Sequence, residues 1–140
     1  MQEHKPPVRA PDISIINNPQ ELTVTFVVIK NNSYLCDMSN MDLQILDLIK
    51  KTIRSIEPRA EIILYGSRAR GSNRPDSDWD ILVLIDTISL NDTQKGIDYV
   101  LWDKGIDFGQ EINTLVRTKS YWDSNPSLFK HNVTHDAIYL

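Results

Sequence analysis

From Ser39 to Pro58 the apolar residues Met41, Ile45, Leu48, Ile49, Ile53 and Ile56 recur at spacings of three and four, with Thr52 on the same stripe. That period predicts an amphipathic helix, capped by Ser39 or Asn40 and stopped by Pro58. The pattern then changes. "AEIILYG" is a short apolar run that reads as a strand, "SRARG" as a turn or the start of a short helix, and "DWDILVLI" as a second strand running into Asp86. A helix capped near Ser89 or Asn91 would bury Leu90, Ile97, Val100 and Leu101. Gly105 marks a turn after it, and "IDFGQEINTLVRT" reads as a third strand. The tail "KSYWDSNPSLFKHNVTHDAIYL" predicts short helices, with Ser120 or Asn125 as cap and Pro126 as a first helical residue. Trp102 and Trp122 are expected to anchor helices on the sheet. Alternating helices and strands imply an α/β fold, a small mixed sheet covered by helices.

Upstream, the β-branched "LTVTFVVIK" (Leu22 to Lys30) reads as a further strand whose partner the pattern does not choose. Before it, Pro6, Pro7, Pro11 and Pro19 without apolar periodicity suggest a flexible, loosely docked arm over residues 1–21. Residues 22–140 would then form one domain, as the 140-residue length allows one modest core and not two.

Composition narrows the function classes. A formal charge of −4 and a pI near 5.3 argue against an extended nucleic-acid-binding surface, which would concentrate Lys and Arg. Three arginines, Arg68, Arg70 and Arg74, nevertheless crowd into one loop, which keeps a nucleotide among the candidate ligands. Arg74 reads as a solvated loop charge. Cys36 is the only cysteine, so neither an intrachain disulfide nor a thiolate cluster can form. No apolar run nears the roughly 20 residues that span a bilayer, and the polar start does not read as a signal peptide, so the cytoplasm is the expected compartment. The Asn91 and Asn132 glycosylation tripeptides read as chance matches. His131 and His135, four apart without a third ligand, read as surface residues.

The chemistry lies in "YGSRARGSNRPDSDWDILVLI". On a strand, Asp78 and Asp80 project to one side while Trp79 faces the other way and packs, as Tyr65 also does. Two carboxylates so close repel unless a cation neutralises them, and their oxygens suit Mg²⁺, which also grips phosphates. Gly66 permits a tight turn and close backbone approach, while Ser67 offers a cap, a hydroxyl and nearby N–H groups to a phosphate. The loop has neither the Walker pattern nor the dinucleotide fingerprint. Arg68 and Arg70 add positive charge, one toward phosphate and one toward solvent or an acidic neighbour. A phosphate cradle beside a metal site points to phosphoryl or nucleotidyl transfer.

Gly66-Ser67, ten intervening residues and then Asp78-Trp79-Asp80 resemble the signature of the minimal nucleotidyltransferase domains of the DNA polymerase beta superfamily, over about residues 40–117. The resemblance implies that Gly66 and Ser67 hold a nucleoside triphosphate, that Asp78 and Asp80 bind divalent metal, and that a third carboxylate on a later strand completes the site. In such domains that carboxylate sits on the third strand, where this chain reads "GQEINTLV". Asn113 falls at the expected place. Glu111, two residues earlier on the same strand face, ranks first as substitute ligand and catalytic group, ahead of Asp107.

Two functions compete. One is a nucleotidyltransferase that moves AMP from ATP, bound with Mg²⁺, to an acceptor hydroxyl with release of pyrophosphate. The resemblance implies partners as well, because small members act as antitoxins that adenylylate a toxin of the HEPN type. A short chain would complete its acceptor site with such a partner, by self-association or with its terminal segments. The other is a catalytically weakened binding protein of the same fold that masks a partner, which Asn113 favours and the retained Gly66, Ser67, Asp78 and Asp80 oppose.

Overall fold

The computed structural model describes residues 38–86 and 89–140, so the expected arm and the Leu22–Lys30 strand lie outside the described residues. The elements in chain order are α1 (Asn40–Ile56), β1 (Glu61–Tyr65), α2 (Gly66–Arg70), β2 (Trp79–Ile85), α3 (Leu90–Phe108), β3 (Ile112–Thr118), α4 (Lys119–Ser124), α5 (Leu128–Asp136) and β4 (Ile138–Tyr139).

Ser39 starts α1 through a capping box. Its hydroxyl accepts the Asp42 N–H, while the Asp42 carboxylate accepts the Ser39 N–H. The buried stripe is Ile45, Leu46, Ile49, Thr52 and Ile53, whereas Met41 at the first turn stays exposed. Each fully buried Ile or Leu contributes about 1.5–3 kcal/mol of transfer free energy, so this stripe is what fastens α1 to the sheet.

The sheet runs β3-β2-β1-β4. β2 lies parallel to β3 and antiparallel to β1, and β4 is antiparallel to β1. β2 is central, and Ile81 to Ile85 are all buried because both faces are covered. Trp79, Ile81, Val83 and Ile85 pack with α1 and with Ile97 and Leu101 of α3. Leu82 and Leu84 face the other side, with Ile63, Val133 and Trp122. The mixed α/β sheet covered by helices is therefore the observed architecture. No helix among the described residues is long and apolar enough to cross a membrane.

Several local expectations are corrected. Gly105 does not end α3, since the helix continues to Phe108 and Gly109 makes the left-handed stop at φ +61°. A Cβ on Gly105 would come within 2.6 Å of the Gln110 carbonyl oxygen, so that glycine serves close packing and not a turn. The third strand starts only at Ile112, and Asp107 belongs to the helix. Thr118 and Ser127 cap the last two helices in place of Ser120 and Asn125, and Pro126 precedes the Ser127 cap. Trp122 packs on the sheet as expected, but Trp102 is 66% exposed.

Candidate active site

Strand register builds the centre of the site. Tyr65 pairs with Asp80 across β1 and β2, and Asp80 pairs with Asn113 across β2 and β3. These three side chains form a row on the sheet face opposite α1, because strand neighbours in register share a face. Trp79 points the other way into the core, fully buried. Asp78 precedes β2 and is exposed, and the Asn113 Nδ2 amide donates to its Oδ2 at 3.3 Å.

Gly66 leaves β1 at φ +78°, and a Cβ there would collide with Oδ2 of Asp80. The glycine thus does two things. It adopts a backbone angle that L side chains rarely take, and it lets the carboxylate lie directly against the chain. Half-buried Ser67 follows in α2, which Gly71 closes in the left-handed region.

The electrostatics follow from this crowding. Burial, and next the charge of Asp78, push the Asp80 carboxyl above its ordinary value, while Arg70 and Asn113 pull the other way. The Tyr65 hydroxyl is pushed up as well, by burial and then by Asp80. Oxygen donors crowded like this fit a hard divalent cation such as Mg²⁺.

The two loop arginines separate. Arg68 is turned inward and buried: its guanidinium pairs with Asp42 at 3.0 Å and donates to the carbonyls of Ser77 and Pro75 and to Gln110 Oε1. It also stacks 4.1 Å from the centre of the Trp79 ring. With its donors committed to the loop before Asp78, Arg68 positions that loop and is not aimed at the site. Arg70 is half-exposed and pairs with Asp136 of α5 at 3.0 Å. Arg74 is exposed.

Glu111 lies just before β3, with its carbonyl accepting the Trp79 N–H at 2.8 Å and its residue surface exposed. Among the described residues no three His, Cys, Asp or Glu side chains converge on a common point to hold a metal ion, so Glu111 is not drawn into a cluster with Asp78 and Asp80. The structure thus gathers Gly66, Asp78, Asp80 and Asn113, and leaves Arg68 and Asp107 outside. Tyr65 is the site neighbour that sequence reasoning assigned to packing alone. Its ring does pack edge-on against Phe129 at 5.7 Å, but its register with Asp80 also makes it part of the row, and an antiparallel pairing of the two runs would have revealed that.

No curated protein matches the chain. The family model described as "Nucleotidyltransferase domain" matches residues 46–135, which takes in α2, both aspartates, Asn113 and most of the covering helices. With the fold and the Gly66–Asp80 arrangement in agreement, the chain belongs to the nucleotidyltransferase-domain family, consistent with the polymerase-beta superfamily.

Proposed function

We propose that the chain transfers AMP from ATP to an acceptor hydroxyl and releases pyrophosphate, as a minimal nucleotidyltransferase. The observation that carries this reading is the seat of Asp80 against Gly66, with Asp78 and Asn113 beside it. Asp78 and Asp80 would hold Mg²⁺, which supplies charge neutralisation for the carboxylates and for the phosphates of the nucleotide. Gly66 and Ser67 hold the triphosphate on the β1 side, with Arg70 as the nearest exposed cation of the loop. The acceptor oxygen forms a bond to the α-phosphorus while the bond from that phosphorus to the bridging oxygen breaks, and pyrophosphate leaves with the electron pair. The acceptor proton passes to the exposed Glu111 carboxylate and on to solvent. A partner protein, a HEPN-type toxin among the candidates, or a second copy supplies the acceptor in the cytoplasm.

Asn113 favours a second reading. A neutral amide stands in register with Asp80 where a third carboxylate would strengthen metal binding, and that suits a slow enzyme or a nucleotide-binding masking protein.

Amide NMR of the full chain titrated with ATP, with and without Mg²⁺, tests the shared part of both readings. Mg²⁺-dependent shifts at Gly66 and Ser67 that vanish in Asp80→Asn are expected. Shifts that ignore Mg²⁺ or survive in folded Asp80→Asn would reject the site.

A further inference from the structure

Asp136 is the last residue of α5, outside the Gly66–Asp80 signature, and the β1–β4 ladder sets its place. Leu64 pairs with Ile138, and two residues further out Gly66 on one strand and Asp136 on the other leave the ladder side by side. Both flanks of Asp136 are fixed. Val133 is buried beneath α5, Phe129 packs edge-on against Tyr65, and Ile138 is buried beside β1. A carboxylate at the level of Gly66 would repel a phosphate unless its charge were taken up. Its Oδ2 accepts from Arg70 Nη1 at 3.0 Å, and its Oδ1 lies 2.9 Å from His135 Nδ1. The hydrogen bonds from His135 and then Arg70 hold the Asp136 carboxyl below its ordinary value.

Arg70 stands three residues after Ser67 and four after Gly66, so it shares their face of α2, and helical side chains lean back toward the start of the helix. Nη1 is committed to Asp136, whereas Nε and Nη2 donate to no other described residue, and the side chain is 50% exposed. Its charge also reaches Asp80, whose carboxyl it draws down against the effect of burial. Arg70 therefore stands between Asp136 and Asp80 with one edge free. An ion pair half open to solvent adds little to stability, so the fold alone does not account for it. Its effect is to remove rotamer freedom from a long side chain before a ligand arrives. A guanidinium fixed at Nη1 can then present its Nε–Nη2 edge, in plane, to phosphate oxygens.

We infer that Asp136 is a positioning residue of the phosphate cradle, holding Arg70 so that its free edge meets the two phosphates that leave as pyrophosphate. The inference rests on the proposed transferase reading, in which Gly66 and Ser67 receive the triphosphate. Sheet order gives the direction: Asp80 lies on the β2 side of β1 and Asp136 on the β4 side. The phosphates thus run from the reacting α-phosphorus at the aspartates outward to Arg70. Arg70 touches the ligand, Asp136 does not, and the influence of Asp136 passes through that one guanidinium.

The test titrates ATP, and separately AMP, into the full chain with Mg²⁺ present, followed by the amide signals of Gly66 and Ser67. Asp136→Asn keeps the shape and one acceptor oxygen but loses the charge that fixes Arg70. It should weaken ATP at least threefold and AMP, which lacks the two outer phosphates, less than twofold. Arg70→Gln should weaken ATP at least tenfold, and adding Asp136→Asn to it should bring no further loss, because the partner is already gone. ATP binding as tight as wild type, or tighter, in Asp136→Asn would mean that the carboxylate competes with phosphate for Arg70, and would overturn the inference. Equal losses for ATP and AMP, or a further loss in the double variant, would overturn it too, since either assigns Asp136 a role that does not pass through Arg70. If ATP with Mg²⁺ leaves Gly66 and Ser67 unshifted in the wild-type chain, the transferase reading itself falls and takes the inference with it.

Discussion

Replacing Gly66 with Ala separates two roles that this glycine combines. At φ +78° an L side chain costs about 1–2 kcal/mol from its own backbone. The added Cβ would also collide with the Asp80 carboxylate, and forcing an atom into occupied space costs about 1–3 kcal/mol more. Gly109 is the internal control: it too has positive φ, at +61°, but a Cβ there meets nothing within 4 Å. Urea unfolding should therefore show a loss of about 1–2 kcal/mol for Gly109→Ala and about 2–5 kcal/mol for Gly66→Ala, the sum of the two costs. If Asp80 swings away instead, part of the stability returns but the carboxylate leaves its seat, so Mg²⁺-dependent ATP affinity should drop at least tenfold either way. Adding Asp80→Ala to Gly66→Ala removes the collision, and the pair should be more stable than the sum of the two single effects. Gly66→Ala matching Gly109→Ala in stability while keeping wild-type ATP affinity would refute the claimed contact.

Three further outcomes are expected. Arg68→Met leaves Asp42, Gln110 and two loop carbonyls without their buried donor and should cost about 3–5 kcal/mol by urea unfolding, with Arg68→Lys recovering only part because an ammonium cannot reproduce the guanidinium fork; an unchanged midpoint in either variant would contradict the positioning role. Without metal, Asp80→Asn should stabilise the fold at neutral pH, because the folded carboxyl is raised above 3.8 by burial and by Asp78 and its charge works against folding. That advantage shrinks as pH falls through the raised folded value and is gone below 3.8, so a gap that widens on acidification would reverse the sign of the argument. In transfer assays Glu111→Gln should lose about 10²-fold in rate with ATP binding unchanged, and Asn113→Asp should gain rate by placing a carboxylate in register with Asp80; wild-type rates in both would remove Glu111 and Asn113 from the chemistry.

What the sequence made legible was whatever rests on local periodicity. The 3.6-residue stripe of α1, the change of period after Pro58, and the i, i+2 aspartates with Trp79 turned to the core all follow from neighbours in the chain. What it hid depends on contacts far apart in the chain. Arg68 looks like a free loop cation until Asp42 and Gln110, 26 and 42 residues away, are brought to it. Gly105 and Gly109 are indistinguishable as letters. One meets the Gln110 carbonyl inside a helix and the other turns the chain, and only the packing of α3 on the approach to β3 separates them. The neighbour of Asp80 on β3 likewise turned on register, which a shift of two residues would have moved from Asn113 to Glu111. Trp102 looks in the sequence like an anchor, since large aromatics are usually buried, but it stands 66% exposed on α3.

The central claim, nucleotidyl transfer at Asp78 and Asp80, is tested most directly by following the two ends of ATP at once. The purified chain is incubated with Mg²⁺ and lysate of its own organism, with ATP labelled at the α-phosphate in one sample and at the γ-phosphate in the other. The account predicts that the α label becomes covalently attached to an acceptor while the γ label leaves as pyrophosphate, and that both events disappear in Asp80→Asn. Release of the γ label as inorganic phosphate with no acceptor carrying the α label, or equal transfer by wild type and folded Asp80→Asn, would contradict it.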